Sequence, residues 1–173
     1  MFPDSEFLIL HAPVNVVLLE PEIPPNAGNV ARLCAATQSV LHLIEPFGFK
    51  LDDSQLKRAG MDYWRQVEWH RWKNWAEFSE KLPATARLWL VESNGPKRYS
   101  DARFAADDYL VFGRETAGLP PRLLEANRDR WLRIPMGNAA ARSLNLSNCV
   151  ALVLFEALRQ QDFPGEARTA GLV

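Results

Sequence analysis

Residues 134–150 read Ile134-Pro135-Met136-Gly137-Asn138-Ala139-Ala140-Ala141-Arg142-Ser143-Leu144-Asn145-Leu146-Ser147-Asn148-Cys149-Val150. A short apolar run gives way to a loop of small residues, then to hydroxyls, amides and one cation at the head of an apolar helix. Leu146, Val150, Val153/Leu154 and Ala157/Leu158 recur at helical spacing, so one face of that helix is buried. Ser143 or Asn145 can cap it, because a side-chain oxygen accepts from the free N–H groups of a first turn. A capped helix accounts for one or two of these polar residues. It leaves Arg142, the second Ser/Asn pair and the Gly-Ala loop over, and a polar loop beside an apolar core marks a binding site.

Working outward, short β-branched runs alternate with helical stretches. Strands are expected at 14–19, 40–44, 88–91, 108–112 and 131–134, with a weak one near Val67. Helices are expected from Asn26 through Thr37, over 54–59, around Trp72, Trp75, Phe78 and Leu82, and after Pro120-Pro121. The segment 20–25, with three prolines, is read as non-helical. This alternation predicts an α/β fold: a mostly parallel sheet with helices on both faces.

Ligands of such sheets bind beyond the carboxyl ends of the strands. Three junctions there are unusual. At 24–32, prolines deliver the chain to a helix N-terminus suited to phosphate, with Asn26, Gly28, Asn29 and Arg32 grouped on it. At 113–121, Gly113 and Gly118 permit tight backbone turns and Glu115 stands at the crown. The third is 134–146. The three loops together form one expected pocket, apolar at Ile134 and Met136 and polar at Ser143 and Asn145, a mixture that suits a small cofactor with an adenine and a charged tail. Neither GxGxxG nor a P-loop is present.

The remaining composition narrows the class. The chain has 173 residues, 47% apolar and 24% charged, with a formal net charge of −1. Any polyanion site must therefore be a local patch, and the candidates are Lys50, Lys57, Arg58, Lys97, Arg98, Arg114 and Arg142. No apolar run is long enough to span a bilayer. Residues 1–13 lack the features of a signal peptide and are read as an extended tail, or a start-site artefact, ahead of a single domain over 14–173. Cys34 and Cys149 are read as reduced core thiols of a cytoplasmic protein. His11, His42 and His70 are scattered, so no metal site is expected. The series Trp64, Trp69, Trp72, Trp75 can stack bases, but core packing is the better reading from Trp72 on.

Five ordered words, LLEPEIPPNAGNVARLCA (18–35), HLIEPFGF (42–49), LKRAGMDYW (56–64), DYLVFGRETAGLP (108–120) and IPMGNAAARSLNLSNCV (134–150), resemble the SPOUT class of RNA methyltransferases. The likeness covers 14–165 and is close to the TrmL (YibK) type, which methylates the 2′-hydroxyl of the tRNA wobble ribose. The resemblance implies a C-terminal segment threaded as a trefoil knot and S-adenosyl-L-methionine held by the knotted loops. It carries cofactor contacts to Val91, Gly113, Ile134 and Ser143, with Gly118, Met136 and Asn145 among them. Arg32 matches the arginine implicated in catalysis, either as base or as the group that orients the hydroxyl and its phosphate. Asn26, Asn29, Glu115 and Arg142 are expected on the substrate side, although Glu115 can instead brace its loop. The resemblance also implies a tRNA substrate and a homodimer joined through the knot region and last helix. A different RNA target and a non-catalytic RNA-binding protein are the alternatives.

Overall fold

The computed structural model describes residues 13–49, 62–138 and 140–167. Seven strands form one sheet: β1 (Asn15–Leu19), β2 (Val40–Ile44), β3 (Trp69–Trp72), β4 (Leu88–Val91), β5 (Lys97–Arg98), β6 (Tyr109–Phe112) and β7 (Trp131–Arg133). Their order is β3-β2-β1-β6-β4-β7-β5, and all six pairings are parallel. The helices are α1 (Pro24–Thr37), α2 (Trp75–Glu80), α3 (Pro121–Ala126) and α4 (Leu146–Gln160).

Strand periodicity sorts the apolar residues between two faces. Val16 and Leu18 of β1 join Leu41, Leu43, Leu110 and Phe112 in a cluster closed by α1 (Val30, Ala31, Cys34) and α4 (Val150, Val153, Leu154). Val17 and Leu19 face the other way, with Ile44, Leu90 and Val111, and are covered by Phe78 of α2 and Leu124 of α3. The expected parallel sheet with helices on both faces is what forms.

Two local expectations are corrected, and one strand is added. Pro24 and Pro25 do not precede the helix but are its first residues. Proline's fixed φ suits a first turn, whose N–H groups need no partner within the helix. Trp72 ends strand β3 rather than belonging to the following helix, which begins at Trp75 behind an Asn74 cap. There Trp72 packs edge-on against Phe78, so sheet pairing overrides its helical spacing to Trp75. The two-residue β5 has no sequence signal of its own, and its pairing with β7 defines it. The short helix expected over 54–59 lies outside the described residues, as do Lys50, Lys57 and Arg58.

The buried Asp108 and His42 both find hydrogen-bond partners. Asp108 accepts from Arg87 Nε (2.7 Å) and Nη2 (2.6 Å), from Trp89 Nε1 (2.7 Å) and from the Ala105 N–H (2.8 Å). His42, 6% exposed, is held on the sheet between two neighbours. The Trp72 indole donates to its Nδ1 (3.2 Å), and an indole can only donate. Nε2 therefore carries the proton and donates to Asn15 Oδ1 (3.1 Å). Burial first, and then the neighbouring His70, push this imidazole down to about 4. The unfolded imidazole takes up its proton at a higher pH, near 6.5. The stabilisation held by neutral His42 is thus complete above about pH 6.5 and fades as the pH falls toward about 4. Between about pH 7 and about pH 4.5, urea unfolding of the wild type should lose roughly 2 kcal/mol more than that of His42→Gln. Equal losses would show that His42 is not held neutral.

Candidate active site

The three junctions converge at the carboxyl ends of β1, β6, β4 and β7 on a cavity of about 630 Å³. Its wall includes Asn26 from α1, Val91 at the end of β4, Phe112 and the whole of 113–118 after β6, and Ile134, Met136 and 142–146 after β7. Val91, Gly113, Gly118, Ile134, Met136, Ser143 and Asn145 all line it. Asn26, Glu115 and Arg142 line it too. Asn29 and Arg32 do not: both sit on the exposed side of α1, with Arg32 about 9 Å further along the axis than Asn26.

The loop 113–118 is shaped by backbone crowding. Arg114 and Gly118 exchange backbone hydrogen bonds of 3.2 and 2.9 Å, closing a tight antiparallel turn. Gly118 holds a left-handed φ of +68°, and a Cβ there would lie 2.0 Å from Glu92 Oε2. A Cβ on Gly113 would lie 2.2 Å from the Gly118 carbonyl carbon. Neither position admits a larger residue without moving the turn.

Side chains then tie this loop to the start of α1. Glu115 accepts from the backbone N–H of Glu22 (2.8 Å) and Ile23 (3.2 Å) and from Asn26 Nδ2 (3.0 Å). In return Glu22 accepts from the N–H of Thr116 (3.0 Å) and its hydroxyl (2.7 Å). Arg114 is ion-paired with Glu20. The chain of bonds continues from Asn26 Oδ1 to Asn145 Nδ2 (2.8 Å), and Asn145 Oδ1 accepts from the Ser147 N–H (2.9 Å), capping α4. Of the two cap candidates, the structure uses Asn145. Glu115 braces the loop against α1, and Asn26 and Asn145 join all three junctions into one network.

Sequence reasoning passed over the continuation of β4. Glu92 and Ser93 also line the cavity, as do Ile23, Thr116 and Cys149. Glu92 Oε2 accepts from the Leu119 N–H (3.0 Å), so it supports the turn from beneath. The signal was available: β4 was read as a strand, and the residues after it occupy a fourth carboxyl-end junction. Burial, and then the charge of Glu92, push the Cys149 thiol up, so it is a poor nucleophile. Among the described residues, no helix is long and apolar enough to cross a membrane.

A parallel α/β sheet with a half-polar cavity built from the loops at its carboxyl ends is the arrangement of proteins that bind nucleoside-sized ligands there. Residues 13–155 match the SpoU rRNA Methylase family, and the chain belongs to that family. A relative from Burkholderia cenocepacia (strain HI2424), named tRNA (cytidine(34)-2′-O)-methyltransferase, is 50% identical over 88% of this chain and 99% of its own length. A solved structure described as "Structural insights into the 2-OH methylation of C/U34 on tRNA" superposes with a TM-score of 0.82 at 45% identity, over 88% of this chain and 97% of that one. The AdoMet-bound rRNA methyltransferase from Sinorhizobium meliloti superposes with a TM-score of 0.76 at 25% identity, over 86% of this chain and 57% of that one.

Removing the Glu115 carboxylate leaves three donors to find water. Glu115→Ala should cost about 1–3 kcal/mol in urea unfolding and speed amide exchange at both Glu22 and Thr116. Unchanged exchange at both would refute the brace.

Proposed function

We propose that this chain transfers the methyl group of S-adenosyl-L-methionine to the ribose 2′-hydroxyl of the wobble nucleotide of tRNA, cytidine or a modified uridine. The observation that carries the reading is the meeting of all three sequence-marked junctions on one cavity. Half identity over nearly the full length to a protein named for that reaction sets the substrate class.

The cavity fits the cofactor. Val91, Phe112, Ile134 and Met136 give an apolar surface for an adenine, while Asn145, Ser143 and the backbone of 113–118 offer polar contacts. When bound, S-adenosyl-L-methionine supplies a methyl group on a sulfonium, ready for in-line displacement. The chain's own work is to place the hydroxyl and relieve it of its proton. Arg32 is assigned to the nucleic acid rather than to the cofactor, and its exposed position on α1 beyond the cavity lining supports this. Its planar fork suits a phosphate and an adjacent hydroxyl. Asn26 and Asn29 precede it on the same helix. Arg142, on the third loop, is assigned to the substrate phosphate. Glu115 is assigned to bracing, and through Asn26 it acts on the substrate side indirectly.

The architecture proposed is a single domain over 14–173 following a tail of 1–13, with the C-terminal segment threaded as a trefoil knot. In support, β7 enters the sheet between β4 and β5, and residues 142–146, which lead into α4, line the same cavity as the 113–118 loop. The protein works in the cytoplasm as a homodimer. Leu152 and Phe155 of α4 are 41% and 47% exposed, an apolar stripe on the last helix suited to a second copy.

Labelled methyl from S-adenosyl-L-methionine should appear in bulk tRNA as 2′-O-methylcytidine or a 2′-O-methyluridine derivative. Label in ribosomal RNA instead would move the target, and no label in either RNA would overturn the reaction. Arg32→Lys should lower kcat/KM for tRNA at least about tenfold with cofactor affinity unchanged. Full turnover with unchanged RNA affinity would remove Arg32 from the mechanism. Phe155→Glu should shift sedimentation toward the monomer, and an unshifted dimer would place the interface elsewhere.

A further inference from the structure

The cavity wall carries four charged side chains, and three have an evident task. Arg114 is paired with Glu20, Glu115 is turned to the start of α1, and Arg142, on the third loop, is the residue assigned above to the substrate phosphate. Glu92 is the fourth. Its Oε1 accepts from the Ser93 N–H (2.9 Å) and hydroxyl (3.3 Å), and its Oε2 from the Leu119 N–H (3.0 Å). Every one of these donors is neutral, so they fix the carboxylate without cancelling its charge. The carboxylate is fixed directly beneath Gly118, one residue past the end of β4, whose last residue, Val91, also lines the cavity. The charge reaches across the inner wall, since it contributes to raising the Cys149 thiol.

A neutral amide or hydroxyl could support the Leu119 N–H equally well. A carboxylate at this place adds a field, and a field distinguishes ligands by charge. The methyl donor carries a sulfonium and is one positive charge richer than the product left after transfer; the two molecules otherwise share nearly all their contacts. We propose that Glu92 is a specificity-determining residue that favours the cationic S-adenosyl-L-methionine over neutral S-adenosylhomocysteine, so that spent product is exchanged for fresh donor. The inference rests on the methyltransferase reading above and extends it to a residue outside the three junctions. Removing a unit charge from the wall of a partly solvent-open cavity is expected to change an equilibrium constant for a charged ligand by about threefold or more.

The test is calorimetric titration of both ligands into the full chain, with the ratio of the two dissociation constants as the readout. Glu92→Gln should shift that ratio against S-adenosyl-L-methionine by at least about threefold. Glu92→Ser removes the charge with a different shape and should do the same, which keeps the test open if the glutamine variant does not fold. Glu92→Asp keeps the charge and should hold the ratio within about twofold, even where a perturbed turn weakens both ligands. A purely structural role would weaken both ligands in parallel and leave the ratio fixed in all three variants, and that result overturns the inference while leaving the methyltransferase reading intact. A wild-type chain that binds neither ligand overturns both.

Discussion

The site depends on a reciprocal exchange of carboxylates between two segments more than ninety residues apart in sequence. Glu115 takes the N–H groups at the entry to α1, and Glu22 takes those of the 113–118 loop. Each carboxylate satisfies donors that its own segment cannot satisfy. An α-helix opening on two prolines has no side-chain cap of its own, and Glu115 supplies acceptors just upstream from across the sheet. Hydrogen bonds to charged acceptors are the stronger class, and here they close loops whose ordering would otherwise cost conformational entropy. Asn26 extends the exchange to Asn145, so the third loop and the cap of α4 become part of the same unit.

The parallel sheet explains why these segments meet at all. Parallel pairing puts every carboxyl end on one rim, and the order β1-β6-β4-β7 sets the four relevant ends side by side. The rigid floor is the doubly covered core beneath them, where Val16, Val17, Leu18, Leu90, Leu110, Val111 and Leu132 are fully buried. The opposite rim holds the buried Asp108 cluster, which ties β4 and β6 together through Arg87 and Trp89. Stability and ligand binding are thus assigned to opposite ends of the same strands. The arrangement lets the upper loops be polar and partly open without weakening the core.

Much of this was legible in the sequence because apolar strands and glycine-bearing junctions leave local signatures. β1, β2, β4, β6 and β7 were bounded by composition alone, and the three junctions were found by their glycine, asparagine and arginine content. What escaped depends on contacts between distant residues. Trp72 has helical spacing to Trp75, yet its backbone pairs with β2, and no local pattern records a parallel partner. Lys97–Arg98 becomes a strand only because β7 lies beside it. Pro24 and Pro25 look like a barrier to helix, whereas at a first turn they favour it. The role of Glu115 was open between substrate contact and brace, because its donors lie in the 22–26 segment. Glu92 went unread because a glutamate after a strand is ordinary until its neighbours are known.

The central claim is that the three junctions form the cofactor site. A crystal structure of the chain grown with S-adenosyl-L-methionine tests it most directly. The ligand is expected between the 113–118 and 134–146 loops, against Val91, Gly113, Ile134 and Ser143. A cofactor bound elsewhere on the molecule, with this cavity empty, would contradict it.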